Sequence, residues 1–269
     1  MHLGIMQGRI FPPDISKFQL FPKDSYLDEL KEANNIGFDF VELLYDKEML
    51  CFEKLKNQEI SNELIRQKFT VCLDRLCLFS FIKNTNQFID ELAKSLEVLS
   101  YLDVKSVVIP FFDNNLLSNP EDIHILADKI KKHMSSSIGD HCRENCIDLC
   151  LEIPLASNYL KKVFDQLKGY EYIGLCYDVG NSVAYGFVPE NEILDLGNYV
   201  KHVHLKDRNI DYGPNVPLGQ GAVNFDNVFK SLDQIGYKGC LTLETKYVNN
   251  PAMEAKQYFE YIKLKMSRD

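Results

Sequence analysis

The sequence predicts an α/β protein built as a single (β/α)8 barrel over residues 1–269, and three observations carry that prediction. Short β-branched or aliphatic runs recur near 2–7, 39–44, 70–76, 105–110, 147–153, 172–178, 201–206 and 240–245, with longer stretches of helical spacing between them. Strand alternating with helix implies parallel strands joined by crossovers, and eight such units closing on themselves make a barrel. The length of 269 residues matches the roughly 250 that one such barrel needs. Finally, each strand of the second half ends one of its faces with a side chain able to hold a divalent metal.

Taken in order, the run at 2–7 leads into a helix over 24–36, where Leu27, Leu30, Ala33 and Ile36 share a face and Gly37 stands at the end. Glu42 closes the even face of the second strand and Asp74 points inward on the third; either can support a site from behind. Phe88, Leu92, Leu96 and Leu99 form the apolar stripe of a helix over 87–102, and another helix is expected over 121–138. In Asp148-Leu149-Cys150-Leu151-Glu152-Ile153 the large aliphatic residues are odd-numbered and Glu152 ends the even face; Leu175-Cys176-Tyr177-Asp178 ends in Asp178 in the same way. The stretch from Lys201 to Arg208 alternates at the period of a strand, with Val203 and Leu205 on one face and His202, His204 and Lys206 on the other. Leu241-Thr242-Leu243-Glu244 repeats the pattern and ends in Glu244. Within the loop 215–224, Gly219-Gln220-Gly221 either brings backbone N–H groups to a phosphate or makes a tight turn that needs positive φ. Asn224 can cap the helix that begins near Phe225, Gly236 and Gly239 separate it from the next strand, and Pro251 can open the last helix.

Composition narrows the function. With 45% hydrophobic and 26% charged residues the chain is an ordinary soluble globular protein with material for a large core. Its formal charge of −9 repels a polyanion, so nucleic acid is not an expected partner, whereas a few local cations suffice for a small phosphorylated substrate. Residues 1–9 contain no basic run followed by a long apolar core, and runs such as Val107-Val108-Ile109 are too short to span a bilayer. A cytoplasmic location without a membrane partner is therefore expected. None of the eight cysteines shows CxxC spacing, and Cys72, Cys150, Cys176 and Cys240 fall in strand runs, so reduced buried thiols are expected rather than metal ligands or disulfides.

In a β/α barrel the side chains at the carboxyl ends of the strands converge on one mouth. Glu152, Asp178, His204 and Glu244 sit at that end of strands 5 to 8. Three carboxylates and one imidazole suit one Mn²⁺, Mg²⁺ or Co²⁺ ion and tolerate Zn²⁺. The competing reading makes each acid half of a buried ion pair, but three clustered carboxylates repel one another strongly unless a cation joins them.

These motifs resemble the xylose-isomerase-like barrel superfamily of sugar phosphate isomerases and epimerases. The second half is similar to its L-ribulose-5-phosphate (L-xylulose-5-phosphate) 3-epimerase group in Leu151-Glu152-Ile153, in Asp178 to Tyr185, in His202 to Asp207, in Val216 to Gly221 and in Leu243-Glu244. The openings Gly4 to Arg9 and Asn35 to Glu42 resemble the superfamily as well. The resemblance implies that Glu152, Asp178, His204 and Glu244 ligate the metal, that Glu152 and Glu244 double as the acid/base pair, and that the chain forms a dimer or tetramer. Asn181 stands where many keto-sugar epimerases place a second, substrate-contacting histidine, a departure that favours the phosphorylated-pentulose branch.

The residues support the same chemistry. Removing a proton beside a ketone requires a stabilised enolate oxygen, which a divalent ion supplies, and epimerisation requires one base on each face of the carbon. Strands 5 and 8 are three apart in a ring of eight, so Glu152 and Glu244 can flank a bound sugar. Lys206 either contacts a substrate hydroxyl or phosphate or pairs with a neighbouring carboxylate; Arg9, Arg208 and Lys246 either grip a phosphate or remain solvated. His202, one layer below His204, reads as a hydrogen-bonded core histidine.

The expected function is thus metal-dependent epimerisation or isomerisation of a sugar phosphate, with 3-epimerisation of a pentulose phosphate foremost. Two alternatives stand beside it. An apurinic-endonuclease-like hydrolase needs more ligands than the six histidines provide, since His124, His133 and His141 fall in helical or connecting segments. A non-catalytic sugar-binding barrel would be favoured if the four ligands held no metal.

Overall fold

The computed structural model describes residues 1–14, 19–49, 68–100, 102, 104–117, 120–135, 137–247 and 249–267. Its strands are β1 (His2–Met6), β2 (Phe40–Leu44), β3 (Lys68–Cys72), β4 (Val104–Pro110), β5 (Asp148–Glu152), β6 (Ile173–Asp178), β7 (Val200–Leu205), β8 (Asp207–Arg208), β9 (Asn215–Val216) and β10 (Cys240–Leu243). Eight of them close into a barrel in the order β1-β10-β7-β6-β5-β4-β3-β2. The eighth barrel strand is therefore β10, because the short antiparallel ladder β8-β9 falls between it and β7. With helices between the strands, this is the (β/α)8 fold that the alternating pattern predicts.

By internal contacts the chain forms two compact units, Met1–Glu42 with Tyr177–Asp269, and Leu43–Cys176. In the first, β1 lies between β10 and β2, and β10 pairs with β7 so that Thr242 stands beside His204 and Leu243 beside Leu205. The helix Tyr26–Ile36 ends at Gly37 in the left-handed conformation (φ 108°). Asn224 accepts a hydrogen bond from the Asn227 amide and caps the helix Phe225–Gln234, as its sequence position suggests. That helix buries Phe225, Val228, Phe229 and Leu232, each contributing about 1.5–3 kcal/mol by leaving water. Asn250 and Pro251 open the last helix, Pro251–Met266.

In the second unit, Phe88, Leu92, Leu96 and Leu99 are at most 2% exposed along the helix Thr85–Leu99. The single helix expected over 121–138 is two, Pro120–Met134 and Ser137–Asn145. The Met134 carbonyl, which a continuing helix would offer to the Ile138 amide, instead accepts the Tyr172 hydroxyl at 2.8 Å. β3 also stops earlier than expected. Leu73 N still donates to Val108 O, but the chain then winds into a 3₁₀ turn, Asp74–Leu78, tied down by Arg75 N to Tyr45 O. Asp74 is therefore half-exposed in that turn and not on the inward face of a strand.

Cys72, Cys150, Cys176 and Cys240 lie in strands, as expected; all the described cysteines are free, Cys146 is exposed and Cys240 half-buried, and Cys51 lies outside the described residues. No described helix is long and apolar enough to cross a membrane.

Candidate active site

The two-residue period of β7 fixes the site. Val203 and Leu205 are fully buried on one face, and His202 and His204 are fully buried on the other. Glu42, at the inward face of β2, takes both imidazoles: Oε1 lies 2.8 Å from His204 Nε2 and Oε2 lies 2.7 Å from His202 Nε2. Thr242 Oγ1 donates to the same Glu42 Oε2 at 2.7 Å and lies 2.9 Å from His202 Nε2. Burial alone would raise the Glu42 carboxyl, yet the imidazoles of His204 and His202 hold it well below the usual carboxylate range. Burial also pushes His202 down, against the neighbouring Glu42, which raises it. His202 is thus a hydrogen-bonded core histidine, as its layer suggested.

One layer further, Asp178 ends β6 and caps the helix Val179–Ala184. Its Oδ1 accepts the Asn181 amide at 2.8 Å and its Oδ2 accepts Asn181 Nδ2 at 2.9 Å. Lys206 Nζ lies 2.6 Å from Asp178 Oδ2 and 2.9 Å from Glu244 Oε2, so the ion-pair reading of Lys206 describes this structure. Gly180 makes room for that lysine: a Cβ there would stand 2.6 Å from Lys206 Cγ and 2.8 Å from its carbonyl oxygen.

Glu244 is approached from several directions. Gln19 Nε2 donates to Oε1 at 2.6 Å, Arg9 Nη2 stands 3.9 Å from that oxygen, and His204 Nδ1 stands 3.4 Å from Oε2. Burial opposes ionisation of this carboxyl, but Lys206 first, then His204 and Arg9, hold it far below the usual range. Arg9 is itself buried and donates to Gln19 Oε1 at 3.0 Å. Its loop is pinned by Glu29, whose carboxylate accepts the amides of Gly8, Ile10 and Phe11. Burial raises the Glu29 carboxyl in spite of those donors.

Glu152 ends β5 and is buried. One ligand atom from each of Glu152, Asp178, His204 and Glu244 lies within 4.8 Å of the others, so the four residues singled out by strand parity come together. Three oxygen donors and one nitrogen, all buried and with Lys206 already drawn in as a counter-charge, fit a hard divalent cation.

The remaining candidates separate. Arg208 Nη1 donates to Asn181 Oδ1 at 2.8 Å and its Nε to Gly213 O at 3.0 Å, which ties it to the residue that holds Asp178. Lys246 is exposed, unlike Arg9 and Lys206. The Gly-x-Gly loop is a turn, with Gly219 at φ 81°, and its amides serve the protein itself: Gly219 N, Gly221 N and Val223 N all donate to the Asp207 carboxylate, at 2.9, 2.9 and 3.1 Å. A protein carboxylate thus takes the amides that the phosphate reading assigned to a ligand.

Sequence reasoning missed Gln19, Glu29, Thr242 and Asp207. Thr242 shares the parity of Glu244 and was open to detection on that ground; Gln19 sits in a loop and carries no periodic signal.

A parallel barrel with a buried carboxylate–imidazole cluster at its strand ends defines the class, and the chain belongs to the xylose isomerase-like TIM barrel family, matching it over residues 30–265. It is 22% identical over 279 residues to the L-ribulose-5-phosphate 3-epimerase UlaE of Shigella flexneri serotype 5b (strain 8401), covering 98% of each chain. Among solved structures it is similar in fold to an L-ribulose 3-epimerase, with a TM-score of 0.73, 15% identity and coverage of 98% of this chain and 94% of that one. It is also similar to the IOLI protein with a bound zinc atom, with a TM-score of 0.69, 16% identity and coverage of 98% and 96%.

Proposed function

We propose that the protein is a divalent-metal-dependent sugar epimerase that inverts C3 of a pentulose phosphate by removing the proton beside its carbonyl and adding another on the opposite face. The observation that carries this reading is the buried set Glu152, Asp178, His204 and Glu244 within 4.8 Å, and the end-to-end match to curated 3-epimerases supports it. Those four residues would hold the ion, with Mn²⁺ first for so oxygen-rich a donor set. When bound, such an ion supplies Lewis acidity at the substrate carbonyl.

The chain's own residues supply the rest. Glu244 is ionised at neutral pH, held so by Lys206, His204 and Arg9, and in that state Glu244 accepts a proton. Glu152 stands three strands away in the ring, on β5 against β10; in its protonated form it would give its own proton to the opposite face of the carbon, and Glu244 would then release to solvent the proton it took. Gln19 Nε2 fixes Glu244 Oε1, and the Asn181 side chain orients Asp178 while its Oδ1 holds Arg208. Lys206 and Arg208 are the cations assigned to the substrate's hydroxyl and phosphate groups, with Arg9 behind Glu244 and Lys246 exposed for an outer contact.

Proton NMR in D₂O over pentulose and hexulose phosphates, with Mn²⁺ and then after chelation, tests this. Metal-dependent loss of the C3 hydrogen of a ketulose phosphate is expected. Exchange at C1 instead would identify an aldose–ketose isomerase, and no exchange on any sugar phosphate with metal bound would refute the reading.

A further inference from the structure

We infer that Glu42 is a positioning residue that fixes the tautomer of His204, so that the proposed metal receives Nδ1 of that ring and not Nε2. The inference rests on the metal reading above and adds to it the atom that binds and the residue that selects it.

Glu42 is fully buried on β2, and its two oxygens face three groups: His204 Nε2 at 2.8 Å, His202 Nε2 at 2.7 Å and Thr242 Oγ1 at 2.7 Å. A carboxylate only accepts, so each of these atoms must bring a hydrogen. A ring nitrogen that carries hydrogen has no lone pair for a metal, and Nε2 of His204 is thereby excluded as the ligand atom. Nδ1 remains, and it is the atom on the side of Glu244, 3.4 Å from Oε2.

Geometry makes the selection firm. Glu42 hangs from β2, paired with Met6 of β1, while both histidines hang two residues apart on β7, so one carboxylate spans both layers of imidazole. Thr242, register partner of His204 on β10, gives the same oxygen a further donor and holds the carboxylate from turning. The rings of His202 and His204 cross at 88° with centroids 5.3 Å apart, so the two imidazoles pack edge to face. Partners behind a ligating histidine orient the ring and raise its basicity, and their loss typically weakens metal binding by roughly 10–100-fold.

Glu42→Gln tests this, because the amide offers a hydrogen where the carboxylate offered a lone pair. We measure two things: Mn²⁺ affinity by calorimetry, and histidine tautomers by long-range ¹H–¹⁵N NMR on protein labelled at histidine. In the native sequence His204 should show Nε2–H, and E42Q should bind Mn²⁺ roughly 10–100-fold more weakly with its circular dichroism unchanged. The native tautomer needs no variant, so it decides the matter even if E42Q fails to fold. Nδ1–H on native metal-free His204 with a bare Nε2, or native affinity in folded E42Q, overturns the inference. A native protein that takes up no divalent ion sinks the metal reading instead, and Nε2–H on His204 would then still support the role of Glu42 in choosing the tautomer.

Discussion

Lys206 Nζ lies 2.6 Å from Asp178 Oδ2 and 2.9 Å from Glu244 Oε2, placing a positive charge among the carboxylates proposed to hold a cation. This ammonium offsets their mutual repulsion, and a divalent ion bound as proposed would compete with it for the same oxygens. Replacing Lys206 by Met should destabilise the metal-free fold by about 3–5 kcal/mol, the usual consequence of leaving one side of a buried pair uncompensated. Mn²⁺ should restore most of that loss, because a ligand that binds only the folded state stabilises it by mass action. Thermal melts with EDTA and with Mn²⁺ check this: the metal-induced rise in Tm should be larger in K206M than in the native protein.

Glu244→Gln keeps the shape of the side chain and removes its ability to take a proton. Gln19 and Lys206 donate to the carboxylate oxygens, so the substitution also weakens those contacts, but Asp178 still pairs with Lys206 and the fold should persist by circular dichroism. Solvent exchange at C3 of the ketulose phosphate should fall by roughly 10²–10⁴-fold, the range a positioned general base contributes. Near-native exchange in E244Q would remove Glu244 from the proton transfer.

The strand parity of Glu152, Asp178, His204 and Glu244 was legible because a period of two says which side chains share a face and because these strands are short enough to end together. What escaped was set by long-range closure. Gln19 meets Glu244 across 225 residues from a loop with no periodicity. Asp207 is odd-numbered, outside the even series of the inward face, and its role appears only when the 219–223 amides fold back upon it. The helix expected over 121–138 broke for a similar reason, a tyrosine hydroxyl from residue 172 substituting for the next helical amide. Local pattern reads faces and periods; it does not read which distant donor will claim an exposed carbonyl or carboxylate.

Asp207 makes the loop after β9 part of the rigid scaffold. Asp207→Ala leaves three inward-turned amides without their carboxylate and should cost about 3 kcal/mol, as expected for hydrogen bonds to a charged acceptor. Gly221→Ala attacks the same point from the other side, since a Cβ there would collide with Asp207 Oδ1 and stand 2.7 Å from Arg208 O. Both variants should lower the denaturation midpoint, and the double variant should fall well short of the sum because the two changes disrupt one network. Additive losses would show that Asp207 and the loop act separately.

Two cysteines of one helical region should differ in reactivity. Cys146 is exposed, whereas Cys142 is fully buried in the helix Ser137–Asn145, and burial pushes its thiol up to about 12. Only the thiolate attacks an alkylating reagent, so a raised value means that Cys142 stays protonated across the range in which an accessible thiol becomes reactive. Iodoacetamide, followed by peptide mass mapping, should label the exposed Cys146 and leave Cys142 unmodified until denaturant is added. Comparable labelling of both cysteines in the native state would mean that this helix does not shield Cys142 as the structure shows.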